Sequence, residues 1–176
     1  MTNRQDFIRK RMQDEGQKSA AYFRTLSAAQ FEQQVYTTGP RWRVRDVLAH
    51  FVSAERMFIF YGREILAGGP GAPEDFIIDE FNLTQMAEFT AATTDSLLAQ
   101  FEAARAATLE FLDSMADADL DRVGRHPWFG RVPVENMCKL IYRHNMLHER
   151  DVRRALEAGQ PVPHNDVQPP SQYPTP

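Results

Sequence analysis

Residues 134–158 read VENMCKLIYRHNMLHERDVRRALEA, and the spacing within that run decides the fold. Taken at steps of three and four it gives Met137, Ile141, His144, His148, Asp151 and Ala155, one stripe down a single helix face. The ends agree with a helix. Pro133 stands where a first turn accepts proline, because that backbone N–H would have no partner anyway, and Gly159 with Pro161 beyond it stops the run. A helix this long with one such stripe must lay it against other helices. Two histidines and a carboxylate therefore sit at positions that the period assigns to an interior.

The same period recurs upstream. A first helix is expected from Gln5 to Leu26 through Ile8, Met12, Ser19, Phe23 and Leu26, interrupted at Glu15 and Gly16. Residues 30–40 form an irregular link closed by Gly39-Pro40. A second helix runs from Val44 to Ala67, with Asp46 in its first turn suiting the positive end of the dipole. Gly68-Gly69-Pro70-Gly71-Ala72-Pro73 then breaks the chain. It has neither a preceding strand nor a following Lys-Ser/Thr, so it reads as a connector and not a phosphate cradle. A third helix is expected from Asn82 to Met115, opened by a capping box at Asn82 and Gln85. In the loop after it, Trp128 and Phe129 are expected to fold back on the bundle end. The fourth helix is the opening run. Together these make an all-α chain, an antiparallel four-helix bundle over residues 1–159 with a proline-rich tail over 160–176.

Composition excludes several classes. The chain has 176 residues, enough for one domain with a sizeable core. A net charge of -4 argues against a general nucleic-acid binder; Arg9, Lys10 and Arg11 read as a solvated helix face. Cys138 is the only cysteine, so there is no intramolecular disulfide and no Cys-x-x-Cys motif. No signal peptide is recognisable and no apolar run approaches the ~18 residues of a membrane span, so a cytoplasmic protein is expected.

The second helix carries its own inward stripe: Val47, His50, Ala54, Met57 or Phe58, and Tyr61. His50 thus points toward the same core as His144 and His148, which lie one turn apart on one face and can reach one ion together. Asp151, a further turn on, is placed to orient an imidazole from behind. Periodicity leaves two readings open: a three-histidine metal site, or buried histidines satisfied by ordinary hydrogen bonds.

The segment Trp42-Arg43-Val44-Arg45-Asp46-Val47-Leu48-Ala49-His50, followed by Glu55, resembles the helix-two signature of the DinB/YfiT-like metalloenzyme superfamily. That group is unrelated to the DNA polymerase of the same name and includes the N-terminal domain of mycothiol-dependent maleylpyruvate isomerase. Residues Arg143 to Arg153 resemble its final-helix H-x-x-x-H segment, and the likeness extends over about residues 5–158. The resemblance implies that His50, His144 and His148 are metal ligands. In the isomerase branch the middle position is usually a carboxylate, so His144 favours the broader all-histidine group. Arg43 stands where relatives often carry a Ser or Thr cap, a loss of ~1 kcal/mol. Glu55 lies about 140° around the helix from His50 and is expected to pair with an arginine such as Arg143 or Arg150.

Three imidazoles leave coordination positions open, the plan of a catalytic site, and nitrogen ligation suits zinc or nickel, with iron or cobalt as alternatives. Some relatives use a low-molecular-weight thiol, so the resemblance implies a metal-dependent enzyme acting on a small molecule, as a thiol-dependent transferase or isomerase, or else as a hydrolase. Tyr61, Tyr142 and Asp151 are the candidate bases. A homodimer is expected from the resemblance. The competing readings are a non-catalytic metal-binding stress-response protein and a helical interaction module without metal.

Overall fold

In the computed structural model, which describes residues 4–164, the elements in chain order are α1 (Arg4–Arg24), α2 (Ala28–Phe31), α3 (Val44–Leu66), α4 (Ile78–Glu88), α5 (Thr94–Asp113), a 3-10 turn (Asp117–Asp121), β1 (Val123–His126), β2 (Gly130–Pro133) and α6 (Val134–Ala158). The four long helices α1, α3, α5 and α6 form the bundle. Extensive contacts join α3 to α5 and α6, and α1 to α5 and α6, so α1 lies diagonal to α3, and α5 diagonal to α6. Chain order and spatial order therefore differ, and the links after α1 and after α5 must cross the bundle ends. Among the described residues no helix is long and apolar enough to cross a membrane.

Local chemistry sets the helix ends. Ser27 and Gln30 form a reciprocal capping box at α2, and Gly159 ends α6 at φ 64°, a left-handed conformation that favours glycine. At α3 the cap has inverted roles: the Asp46 carboxylate accepts from the Arg43 N–H at 2.9 Å and from the Arg43 guanidinium at 3.1 Å. The missing hydroxyl cap is thus partly replaced from within the helix.

Three expectations need correction. The third helix is not continuous: α4 ends at Glu88, and Thr93 caps a new helix by accepting from Ser96 N at 3.2 Å. Its three-and-four spacing survives the break because Phe89, in the turn, is itself buried. Asn82 lies inside α4 and caps nothing. The loop at residues 123–133 is an antiparallel hairpin, with Val123 opposite Pro133 and His126 opposite Gly130. The glycine-rich connector lies beside it, Arg125 N donating to Pro70 O at 2.7 Å and Ala72 N to Arg125 O at 2.9 Å. The hairpin is clamped against α3 at Gly124, where an added Cβ would stand 2.2 Å from Ile65 Cδ1. Finally, residues 30–40 are not wholly irregular. Tyr36 pairs with Val162 in a parallel bridge, Val162 N donating to Val35 O at 2.9 Å, so Val162 to His164 lie on the bundle. The remainder of the proline-rich tail, 165–176, falls outside the described residues.

Two apolar clusters fill the bundle. One gathers Phe23, Tyr36, Trp42, Phe51 and Phe101; the other gathers Ile8, Met12, Phe58, Phe111, Leu112 and Met137. On every long helix the switch from one cluster to the other is polar: Glu15 and Ser19 on α1, Glu55 on α3, Arg105 and Thr108 on α5, Asn145 and His148 on α6, all buried. The bundle is thus crossed by a buried polar belt. Groups taken from water in this way need partners: Arg105 and Thr108 serve Glu55 within the belt, while Glu15 pairs with Arg11 and Lys18 at the surface and Ser19 donates to Glu149.

Candidate metal centre

Glu55 anchors the belt. The expected arginine partner is neither Arg143 nor Arg150 but Arg105, whose Nε donates to Glu55 Oε1 at 2.7 Å. Thr108 Oγ1 donates to the other carboxylate oxygen. Arg105 Nη1 also donates to Met12 O at 2.6 Å, so α1, α3 and α5 meet at one guanidinium. Its Nη2 lies 2.8 Å from Asn145 Oδ1 when that amide presents its oxygen, and this brings in α6.

The other face of Asn145 meets the histidines. In that orientation its Nδ2 faces His144 Nδ1 at 3.2 Å; with the amide turned, Oδ1 faces the same nitrogen. Ligation through His144 Nε2 places the ring proton on Nδ1, and the turned amide accepts it. The amide orientation and the His144 tautomer are therefore linked.

His50, from α3, and His144 and His148, from α6, come together because those helices adjoin. His144 Nε2 lies 2.9 Å from His50 Nε2 and 3.0 Å from His148 Nε2. The ligand atoms of the three rings all fall within 4.8 Å of one another. Nitrogens bound ~2.1 Å from one ion lie at most ~4.2 Å apart, so both short separations suit a shared ion. As hydrogen bonds, by contrast, they would ask one His144 nitrogen, with a single proton or a single lone pair, to serve both neighbours. Burial pushes the His144 pKa down to about 4 and holds His50 and His148 well below the ordinary histidine value, the neighbouring His144 ring adding to the last two. Neutral rings with inward lone pairs are what a divalent ion requires.

The surroundings hold the rings in place. Tyr36 Oη is 2.6 Å from His148 Nδ1, and burial, then the Asp151 carboxylate, raises its pKa, so the hydroxyl stays protonated. Trp42 covers His50 with ring centroids 4.5 Å apart, and His50 Nδ1 has no hydrogen-bond partner among the described residues. His164 stacks on His148 at 5.6 Å and edges Tyr36 at 4.4 Å. Asp151 is buried beside the cluster, accepting from Arg150 Nη2 at 3.3 Å, while the contact to His148 Nδ1 is made by Tyr36.

The cluster forms the floor of a cavity of about 350 Å³. Tyr61 lines it, as do Trp42, Phe58, Trp128 and Phe129. Tyr142 does not: it is buried in the second apolar cluster below Arg11, which removes it from the candidate bases. Trp128 and Phe129 reach the cavity from the hairpin. His126 sits on the same wall, its pKa lowered to about 4 by burial and then by His144. Tyr36, His126, Asn145 and His164 went unnoticed as site residues in the sequence. Only Asn145, adjacent to His144 and near the stripe, carried a usable signal there.

A sequence profile matches residues 11–152, a span that includes all three histidines, and it is that of the DinB superfamily. The chain belongs to the DinB superfamily. This DinB-superfamily fold is similar to YfiT from Bacillus subtilis, with a TM-score of 0.71 and 16% identity over 89% of this chain and 88% of YfiT. YfiT is described as a probable metal-dependent hydrolase with an unusual four-helix bundle topology. An uncharacterised protein from Escherichia coli UTI89 is similar at TM-score 0.70 and 10% identity, over 92% and 98% of the two chains. At these identities the likeness is one of fold. No curated protein matches the chain.

Proposed function

We propose that this DinB-superfamily protein is a metal-dependent enzyme acting on a small molecule, with His50, His144 and His148 as ligands of one divalent ion. The observation that carries it is the convergence of the three Nε2 atoms, from buried His50 and His148 and half-buried His144, in the lining of a largely apolar cavity. A divalent ion held there supplies Lewis acidity, polarising a carbonyl and bringing the pKa of water to about 7. Hydrolysis is the leading chemistry, and the likeness to YfiT, itself described as a probable metal-dependent hydrolase, supports it.

The chain's own residues do the rest. Tyr36 Oη accepts a hydrogen bond from His148 Nδ1–H, and Asn145 Oδ1, with the amide turned toward it, accepts one from His144 Nδ1–H, which keeps both Nε2 lone pairs inward. Trp42, Phe58 and Phe129 exclude water from around the reacting group. Three protein ligands leave positions open for substrate. Zinc and nickel suit this donor set best, with iron and cobalt as alternatives.

A second reading is transfer to or from a low-molecular-weight thiol, for which this chain would supply no thiolate of its own. Cys138 is fully buried and burial pushes its thiol up to about 12, so any reacting thiolate must enter as a small molecule. Elemental analysis of untagged wild type beside His144→Ala and His148→Ala tests the metal, and turnover of ester and thiol-plus-electrophile panels separates the chemistries. A folded wild type that takes up neither zinc nor nickel would sink the proposal. Bound metal without turnover on either panel would leave a metal-binding protein and remove the enzyme.

A further inference from the structure

The charges around the cavity are unevenly matched. Three neutral imidazoles leave the full charge of a divalent ion in place. Asp151 is already engaged, with Arg150 at 3.3 Å and Arg154 at 3.7 Å. Arg125 is engaged by Glu74 at 2.5 Å. Arg143, one residue from His144 and exposed at the cavity mouth, has no ion pair among the described residues. Asp79, also in the lining, is exposed and is the one lining carboxylate without a partner among them. With the ion bound, the balance is cationic.

The lining also holds a neutral donor. His126 Nδ1 accepts the backbone N–H groups of Trp128 at 3.1 Å and Phe129 at 3.3 Å. A neutral ring that accepts at Nδ1 carries its proton on Nε2, so His126 is held as a donor. The remaining lining is mostly apolar, with two tryptophans and three phenylalanines, and the volume is that of a site for one small ligand.

We propose that the cavity binds a small apolar anion, a carboxylate on a body of aromatic size, whose charge pairs with Arg143 while its apolar part lies against Trp42, Phe58, Trp128 and Phe129. The share of the preference owed to the ion rests on the metal reading above; the share owed to Arg143 does not.

The chain's two tryptophans, Trp42 and Trp128, both line the cavity, so their fluorescence reports binding directly. The probes are 4-phenylbutyrate and its uncharged amide, titrated into zinc-loaded and metal-free protein. The carboxylate is expected to bind zinc-loaded wild type at least about tenfold more tightly than the amide. Arg143→Met should weaken carboxylate binding about tenfold and leave the amide unchanged, with Arg143→Lys recovering part of the loss. Because Arg143 is exposed and outside the cluster, zinc content should equal that of wild type in both variants. Equal affinity for the two probes, a preference that persists in full in Arg143→Met, or no binding of either overturns the proposal. If wild type takes up no zinc, the metal reading fails separately. A carboxylate preference in the metal-free protein that disappears in Arg143→Met then still upholds the anion site, and its absence overturns it.

Discussion

Glu55→Ala is the most informative single change in this bundle. The Glu55 side chain is 0% exposed and Arg105 is 5% exposed, so neither charge reaches solvent. Removing the carboxylate leaves Arg105 with Met12 O, and with Asn145 Oδ1 only while that amide turns its oxygen away from His144, but with no counter-ion. Thr108 keeps its bond to Ala104 O at 3.0 Å, so the loss centres on the guanidinium. Breaking one half of a buried pair costs ~3–5 kcal/mol, against a total stability of ~5–15 kcal/mol for a domain. At ~2–4 °C per kcal/mol for a chain of this size, the melting temperature should fall by ~6–20 °C. Glu55→Leu with Arg105→Leu removes both charges together and should be more stable than Glu55→Ala alone, because the penalty lies in the unpaired ion and not in the absent bond. Urea unfolding followed by far-UV circular dichroism gives each free energy, and the double-mutant cycle gives the coupling. A Glu55→Ala cost below ~1 kcal/mol, or a double variant showing the sum of the two single losses, refutes this account of the belt.

Tyr36→Phe keeps the ring in its packing but removes the partner of His148 Nδ1; zinc affinity, measured by competition with a chelator, should weaken ~10–100-fold while the fold persists. Acid should destabilise the protein through His126, whose folded pKa of about 4 lies below the ordinary 6.5. The unfolded chain takes the proton first, so stability is complete above pH ~6.5, declines as pH falls toward ~4 by up to ~3 kcal/mol, and loses no more through this group below that. The buried cluster histidines act in the same direction, and a melting temperature that is flat between pH 7 and 4.5 would contradict neutral burial of these rings. Gly62→Ala should cost ~1–3 kcal/mol in urea unfolding, since its Cβ would stand 2.6 Å from Phe111 Cε1 at the α3–α5 contact. An unchanged midpoint would show that Phe111 can move aside.

What could be read from the sequence was whatever one helix encodes by itself. His144 and His148 share a face through their spacing alone, and His50 declares an inward direction through the stripe around it. The four long helices were legible for the same reason. The errors fall where structure depends on chain segments remote in sequence. Phe89 kept the helical spacing while turning out of a helix, so periodicity ran through a real break and merged α4 with α5. The hairpin at 123–133 is too short for alternation to show, and it is held partly by Pro70 and Ala72 from another link.

The same distinction explains why the ligands were visible and their supports were not. A metal ligand on a helix must point inward, so its position is constrained by period. A group that orients a ligand need only present one atom at ~3 Å, and any segment can bring it. Tyr36 does so from a link between helices, placed there by its bridge to Val162, which lies 126 residues further along the chain. Glu55 shows the intermediate case. Its offset from His50 correctly put it away from the cluster, yet its partner depended on which helix stood diagonal to which. Because α5 adjoins α3, Arg105 reaches Glu55, and because α6 adjoins α3, Asn145 stands between Arg105 and His144. The polar belt and the metal centre are therefore one network, and a change at Glu55 should be felt at His144 through a single amide.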